Sequence, residues 1–228
     1  MYGKRININI LSADAMKKLK ENGLIHILNN VYSCIESYVD IPAGKTVELD
    51  LGCGKGGFSL ALAERFPDSL ILSADIMIGR MRKLDSRIRR RGLANISLFR
   101  VEARHFTALV LPDASLDRLH ILCPDPWPKH RHRHNRLLCS DFIFHIYRVL
   151  KSSGVFHFST DDVKYFKSTV NLIELSGLLV RDDDALNDIS DIKTDFEKRW
   201  NDIGRKVHHA CWRKKNILNH GIHGQHGN

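Results

Sequence analysis

A chain of 228 residues, 43% hydrophobic and 27% charged, suits one soluble domain with a substantial core and excludes a fibrous or low-complexity protein. No apolar run approaches the length needed to cross a bilayer, which excludes a helical membrane protein. Thirty-five Lys and Arg against twenty-six Asp and Glu leave a net charge of +9, a surplus that suggests a polyanionic partner, nucleic acid first among them.

The N-terminal MYGKRININILSADAMKKLK lacks the long apolar stretch of a signal peptide. From Ser12 to about Val39 the pattern is helical and amphipathic, and it reads as a helical extension over residues 1–40. A regular alternation follows. VELDLG (47–52) reads as a strand, then comes a glycine-rich turn and the helical FSLALAERF (58–66). LILSAD (70–75) is a second strand. The next helix sets Met77, Met81, Leu84 and Ile88 at helical spacing, so Arg80, Arg82, Arg87, Arg89 and Arg90 fall largely outside that stripe. ISLFRV (96–101), DRLHILC (117–123) and VFHFST (155–160) read as strands, and FIFHIYRVL (142–150) as a helix. HHACWRK fits a last strand, and the glycine-rich end, 216–228, reads as a disordered tail. Strands alternating with helices predict a doubly wound, mostly parallel α/β sheet in one domain over 41–215. Five cysteines (Cys34, Cys53, Cys123, Cys139, Cys211) show no CxxC spacing, which points to reduced thiols in a cytoplasmic protein rather than to disulfides or a zinc site.

Between the first strand and its helix lies LDLGCGKGGF (49–58). Gly52 and Gly54 let the backbone approach a ligand where a side chain would collide, beyond the carboxyl edge where open parallel sheets bind ligands. Asp75 ends the second strand about 20 residues on, placed to accept from ribose hydroxyls. A dinucleotide enzyme would have both features. Asp50, just before the turn, suits a cationic ligand better than a pyrophosphate, and Glu102 follows the third strand where an adenine contact would fall. Together Asp50, Gly52, Gly54, Asp75 and Glu102 resemble the ordered motifs of seven-stranded, Rossmann-like methyltransferases. That resemblance implies S-adenosylmethionine as methyl donor.

CPDPWPKHRHRHNR (123–136) packs three prolines, a tryptophan, an acid and alternating Arg and His into a loop, since proline fixes φ and removes a backbone donor. Pro124-Asp125-Pro126-Trp127-Pro128 reaches the same edge as the glycine turn and continues into a basic run. The string closely resembles the signature of the tRNA (guanine-N7-)-methyltransferase family. LDLGCGKG upstream, Ser159-Thr160-Asp161, and Thr194-Asp195-Phe196-Glu197 extend the likeness over roughly 45–213, in order. The resemblance implies a guanosine in the variable loop of tRNA as substrate. It assigns Asp50, Gly52, Gly54, Asp75, Glu102 and Asp125 to the cofactor site, and Lys129, Asp161 and Thr194 to Glu197 to RNA. In the family the first acid is more often Glu where this chain has Asp50, and the residue at Asp195 is usually basic or variable.

Guanine N7 is a free lone pair at neutral pH, so the task is positioning rather than deprotonation. A carboxylate near the purine would offset the positive charge that arrives with the methyl group. Asp125 and Asp161 are the acids nominated for this, with Asp125 the expected catalytic residue. Lys129, Arg131, Arg133 and Arg136 read as phosphate contacts. Trp127 stacks on an extruded base or plugs the loop into the core. No metal is expected, because the interleaved arginines would repel a cation from His130, His132 and His134. No obligatory protein partner is indicated, and the oligomeric state is not legible. Two other readings stay open on residues alone: an inactive RNA-binding module on this fold, and a methyltransferase for another acceptor.

Overall fold

Five consecutive buried residues in VELDL mark a strand covered on both faces, and the computed structural model, which describes residues 25–27, 39 and 41–216, sets it at the centre of one sheet. Its strands are β1 (Ile25–Ile27), β2 (Val47–Leu51), β3 (Leu70–Asp75), β4 (Ile96–Arg100), β5 (Leu116–Leu122), β6 (Leu150–Thr160), β7 (Leu179–Arg181) and β8 (His208–Lys214). Their spatial order is β1-β4-β3-β2-β5-β6-β8-β7. All pair in parallel except β8, which runs antiparallel to both β6 and β7. The winding reverses at β2, so a crevice opens beyond the carboxyl ends of β2 and β5.

Helices α1 (Gly57–Arg65) and α2 (Ile78–Arg91) cover one face, packing Phe58, Leu62, Met81, Leu84 and Ile88 on Ile71 and Leu98. On the other face, α3 (Ser140–Val149) and α4 (Val163–Ser176) pack Phe142, Ile146, Tyr165 and Ile173 against Leu49, Leu119, Phe156 and Phe158. Alternation along β2 sends Leu49 and Leu51 to the α3–α4 layer and leaves Glu48 and Asp50 buried beneath α1. Two buried carboxylates on one strand need partners, and those partners come from α1 and from the neighbouring strand β5. A fifth helix, α5 (Asp195–Asp202), precedes β8.

The fold matches the doubly wound reading, with differences at the margins. Ile25–Ile27 is a strand on the edge of the sheet, pairing with Leu98–Arg100, and not part of a helix. Its pairing buries Ile25 and stacks His26 on Phe99 at 5.0 Å, a gain from tertiary contact that overrides the local helical pattern. The rest of the expected N-terminal helix, and the tail beyond residue 216, lie outside the described residues. β7, only three residues long, shows no period in the sequence. No helix among the described residues is long and apolar enough to cross a membrane.

Candidate functional site

After Leu51 the chain turns through Gly52, Gly54 and Gly56, all with positive φ. The amides of Gly52 and Cys53 donate to Ala74 O at 2.8 and 3.0 Å. Asp75 braces the same turn: Oδ2 accepts from Gly54 N at 3.0 Å and Oδ1 from Met77 N at 2.7 Å. Each carboxylate oxygen keeps a second lone pair, and Arg80 Nη1 stands 3.5 Å from Oδ2. The next glycine serves packing, since a Cβ on Gly57 would fall 2.2 Å from Asp195 Oδ1. So α5 is drawn against the start of α1.

Asp50 is buried, and its Oδ2 accepts from Ser59 Oγ at 2.6 Å. Burial pushes the carboxyl up to about 6, although the Ser59 bond and the nearby His120 pull the other way. Motif reasoning does not reach Ser59. Its signal in the sequence is a polar residue on the apolar face of FSLALAERF.

Two adjoining cavities open here. One, of about 330 Å³, is lined by Asp75, Met77, Glu102 and Pro124 among others; the second, of about 230 Å³, by Asp50, Gly54, Thr194 and Phe196. Gly52, Arg80, Leu122, Cys123 and Asp125 line both. Helical spacing places Arg80 only outside the apolar stripe, whereas the structure puts it at this shared mouth. Glu102 caps a helical turn at Ala103–His105, its Oε2 accepting from His105 N at 2.8 Å, and its side chain stays at the rim.

The proline loop is held in a strained form. Cys123 and Trp127, neither of them glycine, take φ of 51° and 42°. Arg136 ties the loop down: its Nε donates to Pro126 O at 2.8 Å, and its guanidinium lies 4.5 Å over the Tyr165 ring. Its Nη1 also donates to Ser168 Oγ at 3.3 Å, so part of the guanidinium is engaged inside the protein. Asp125 is exposed and has no hydrogen-bond or ion-pair partner among the described residues. Burial pushes the Cys123 thiol up to about 12, which disfavours its thiolate. Trp127 is 36% exposed and stacked parallel on His132 at 5.9 Å, outside the core.

Comparison with known proteins gives this arrangement a place. A family model described as "Putative methyltransferase" matches residues 44–210. A tRNA (guanine-N(7)-)-methyltransferase of Paracoccus denitrificans is 30% identical over 173 residues, 75% of this chain and 73% of that protein. The chain belongs to the tRNA (guanine-N7-)-methyltransferase family. Another member, from Thermotoga maritima, is 30% identical over 161 residues, 71% of this chain but 51% of its own length, so the chain spans about half of that relative. Among solved structures, an aminoglycoside resistance methyltransferase superposes with a TM-score of 0.55 at 22% identity, covering 77% of this chain and 90% of that one. This last likeness concerns the fold alone.

The residues expected to contact RNA divide by environment. Lys129, Arg131 and Arg133 are exposed on or beside the 3₁₀ turn His130–Asn135, and Phe196 is exposed against Trp200, edge to face at 5.0 Å. Asp161 is paired with Arg205 Nη2 at 2.5 Å, and Asp195 with Arg87 Nη1 at 3.3 Å. Thr194 is the N-cap of α5, accepting from Glu197 N at 2.9 Å. Glu197 is 4% exposed, and its carboxylate is engaged inside the protein. Burial alone would raise its carboxyl, but bonds from His209 Nε2 at 3.0 Å and Lys193 Nζ at 3.2 Å hold it below the usual range.

Proposed function

We propose that this chain transfers a methyl group from S-adenosylmethionine to N7 of a guanosine in the variable loop of tRNA. The observation that carries the reading is the unpartnered Asp125 at the wall common to both cavities, beside an exposed basic turn. The residues suit the donor: Asp75 has lone pairs left for a ribose diol, Glu102 sits at the rim of the same cavity, and Asp50 offers a carboxylate to an ammonium. The donor supplies an electrophilic methyl on a sulfonium. N7 attacks it, the C–S electron pair stays on sulfur, and the purine takes the positive charge. Asp125 meets that charge and can accept from guanine N1–H and the exocyclic amine. Lys129, Arg131 and Arg133 hold phosphates.

Unmodified bulk tRNA incubated with labelled donor is expected to yield labelled 7-methylguanosine after digestion to nucleosides. Replacing Arg131 and Arg133 by Ala should flatten the salt dependence of tRNA binding by about one unit of slope for each phosphate no longer held, with donor affinity unchanged. Label in another nucleoside, or only in small molecules, would assign a different acceptor. Binding of tRNA with neither donor affinity nor transfer would leave an inactive RNA-binding module.

Donor binding should also depend on pH through Asp50. A carboxyl raised to about 6 is charged above that pH and neutral below it. Affinity for a cationic donor is therefore expected to fall as pH drops from about 7.5 to about 5, with proton release on binding near pH 6. Calorimetry in buffers of different ionisation enthalpy reads both quantities. A flat profile would detach Asp50 from the donor.

A further inference from the structure

A second polar system crosses the sheet behind the cleft. Glu48 Oε2 lies 3.2 Å from His120 Nε2, and His120 Nδ1 lies 3.1 Å from His157 Nδ1. His157 Nε2 is 3.0 Å from His209 Nδ1, and His209 Nε2 is 3.0 Å from Glu197 Oε1. Glu48, His120, His157 and Glu197 are buried, and His209 alone reaches solvent, with its side chain 31% exposed. Strand register builds the centre of this chain, since His120 and His157 are direct partners on β5 and β6.

The protons can be counted. Four contacts between hydrogen-bonding atoms require four hydrogens. Ionised carboxylates bring none, and three neutral imidazoles bring one each. We propose that this chain holds a fourth proton, which locks α5 and its Thr194–Phe196 segment against the cleft and makes His157, His209 and Glu197 positioning residues for methyl transfer. With both carboxylates ionised, three arrangements satisfy every contact, one for each ring as the imidazolium. Burial pushes His157 strongly downward, which disfavours the arrangement charged there. The two left have His120 as the imidazolium with His157 donating from Nε2, or His209 as the imidazolium with His157 donating from Nδ1.

The surroundings oppose one another. Glu48, Glu197 and Asp50 favour the added charge. Arg118 Nη1, 3.6 Å from Glu48 Oε1, and Lys193 Nζ, 3.2 Å from Glu197 Oε1, oppose it. Asp183 and Lys193 line a cavity of about 220 Å³ against His157 and His209, and the Phe58 ring meets His120 edge-on at 4.9 Å. Such a coupled group titrates as one system. When pH rises and the fourth proton leaves through His209, one N···N contact is left with two facing lone pairs. The chain then opens at its exposed end, and α5 loses its hold. Attack by N7 transfers no proton, so the chemical step itself brings no alkaline fall in rate, and the ring protonation and the variants below separate this chain from the donor's own ammonium.

Only the rate measurement rests on the proposed function. ¹⁵N-histidine NMR between about pH 5 and 9 reads the protonation of each ring without any substrate. One doubly protonated ring within the chain is expected at neutral pH, lost as the pH rises together with donor affinity. Three neutral rings throughout would overturn the proposal. Glu197→Gln keeps an acceptor oxygen but removes its charge, so the alkaline fall in transfer rate and donor affinity should move down by about one pH unit. Lys193→Met, which removes an opposing cation and spares every contact in the chain, should move it up. A uniform loss at every pH with unmoved midpoints would mean that Glu197 is merely structural, and would sink the proposal. A wild-type protein that transfers no methyl to tRNA overturns the proposed function but leaves the ring count to be read.

Discussion

Asp125→Asn is expected to slow single-turnover methyl transfer by on the order of a hundredfold or more while leaving tRNA binding within a few-fold. The carboxylate makes no hydrogen bond or ion pair among the described residues, so its loss should cost the fold little. The loop's shape is set by its prolines, by the left-handed Cys123 and Trp127, and by the Arg136 tether to Pro126 O, all of which the variant keeps. Asn retains size and one acceptor oxygen and lacks only the charge. A charge that matters most when the purine becomes cationic acts on the transition state more than on binding. No new pH dependence should appear in the residual rate between about pH 6 and 8, because no proton leaves N7. Rapid-quench measurement at saturating substrates checks this. A near-normal rate would reduce Asp125 to a loop-shaping residue. The role could then pass to Asp161 only if it outlasts that residue's pairing with Arg205.

Asp75→Ala should be the most damaging change on the donor side, weakening S-adenosylmethionine binding by roughly 1–3 kcal/mol, about 5- to 150-fold. Two losses combine. The ribose diol loses a charged acceptor, and the amides of Gly54 and Met77 lose the carboxylate that folds the glycine turn. Asp75→Asn separates them, since its single amide oxygen can serve only part of this set; an intermediate affinity is expected. Calorimetry and a thermal melt on both variants measure the two components. Unchanged affinity in Asp75→Ala would remove it from the donor site.

The central sheet was legible because its strands carry their own signals. LILSAD and HHACWRK are strands over the bounds the sequence suggested, each an apolar or alternating run beside clear breaks. Ile25–Ile27 was not legible: three residues are too few to show a period of two, and their pairing with β4 is a tertiary event. The residues singled out by motif order, Asp50, Gly52, Gly54, Asp75, Glu102 and Asp125, line two adjoining cavities, but their roles depend on which way each side chain faces. Thr194 to Glu197 also spells a helix N-cap signature, and Thr194 acts as one. The histidine chain left no trace in the sequence. Its members stand 37 and 52 residues apart, and only strand pairing brings them together.

The sheet also closes out of chain order. β8 lies between β6 and β7, so Leu179–Arg181 has no strand beside it until His208–Lys214 exists. A nascent chain leaving the ribosome therefore completes β2 to β6 first, with the glycine turn, Asp75 and Asp125 already present. The α5 wall and the strand that secures it come last. During synthesis the glycine turn and its carboxylates form early, but the cavity around Asp50 gains its last wall only when Thr194 and Phe196 arrive with α5.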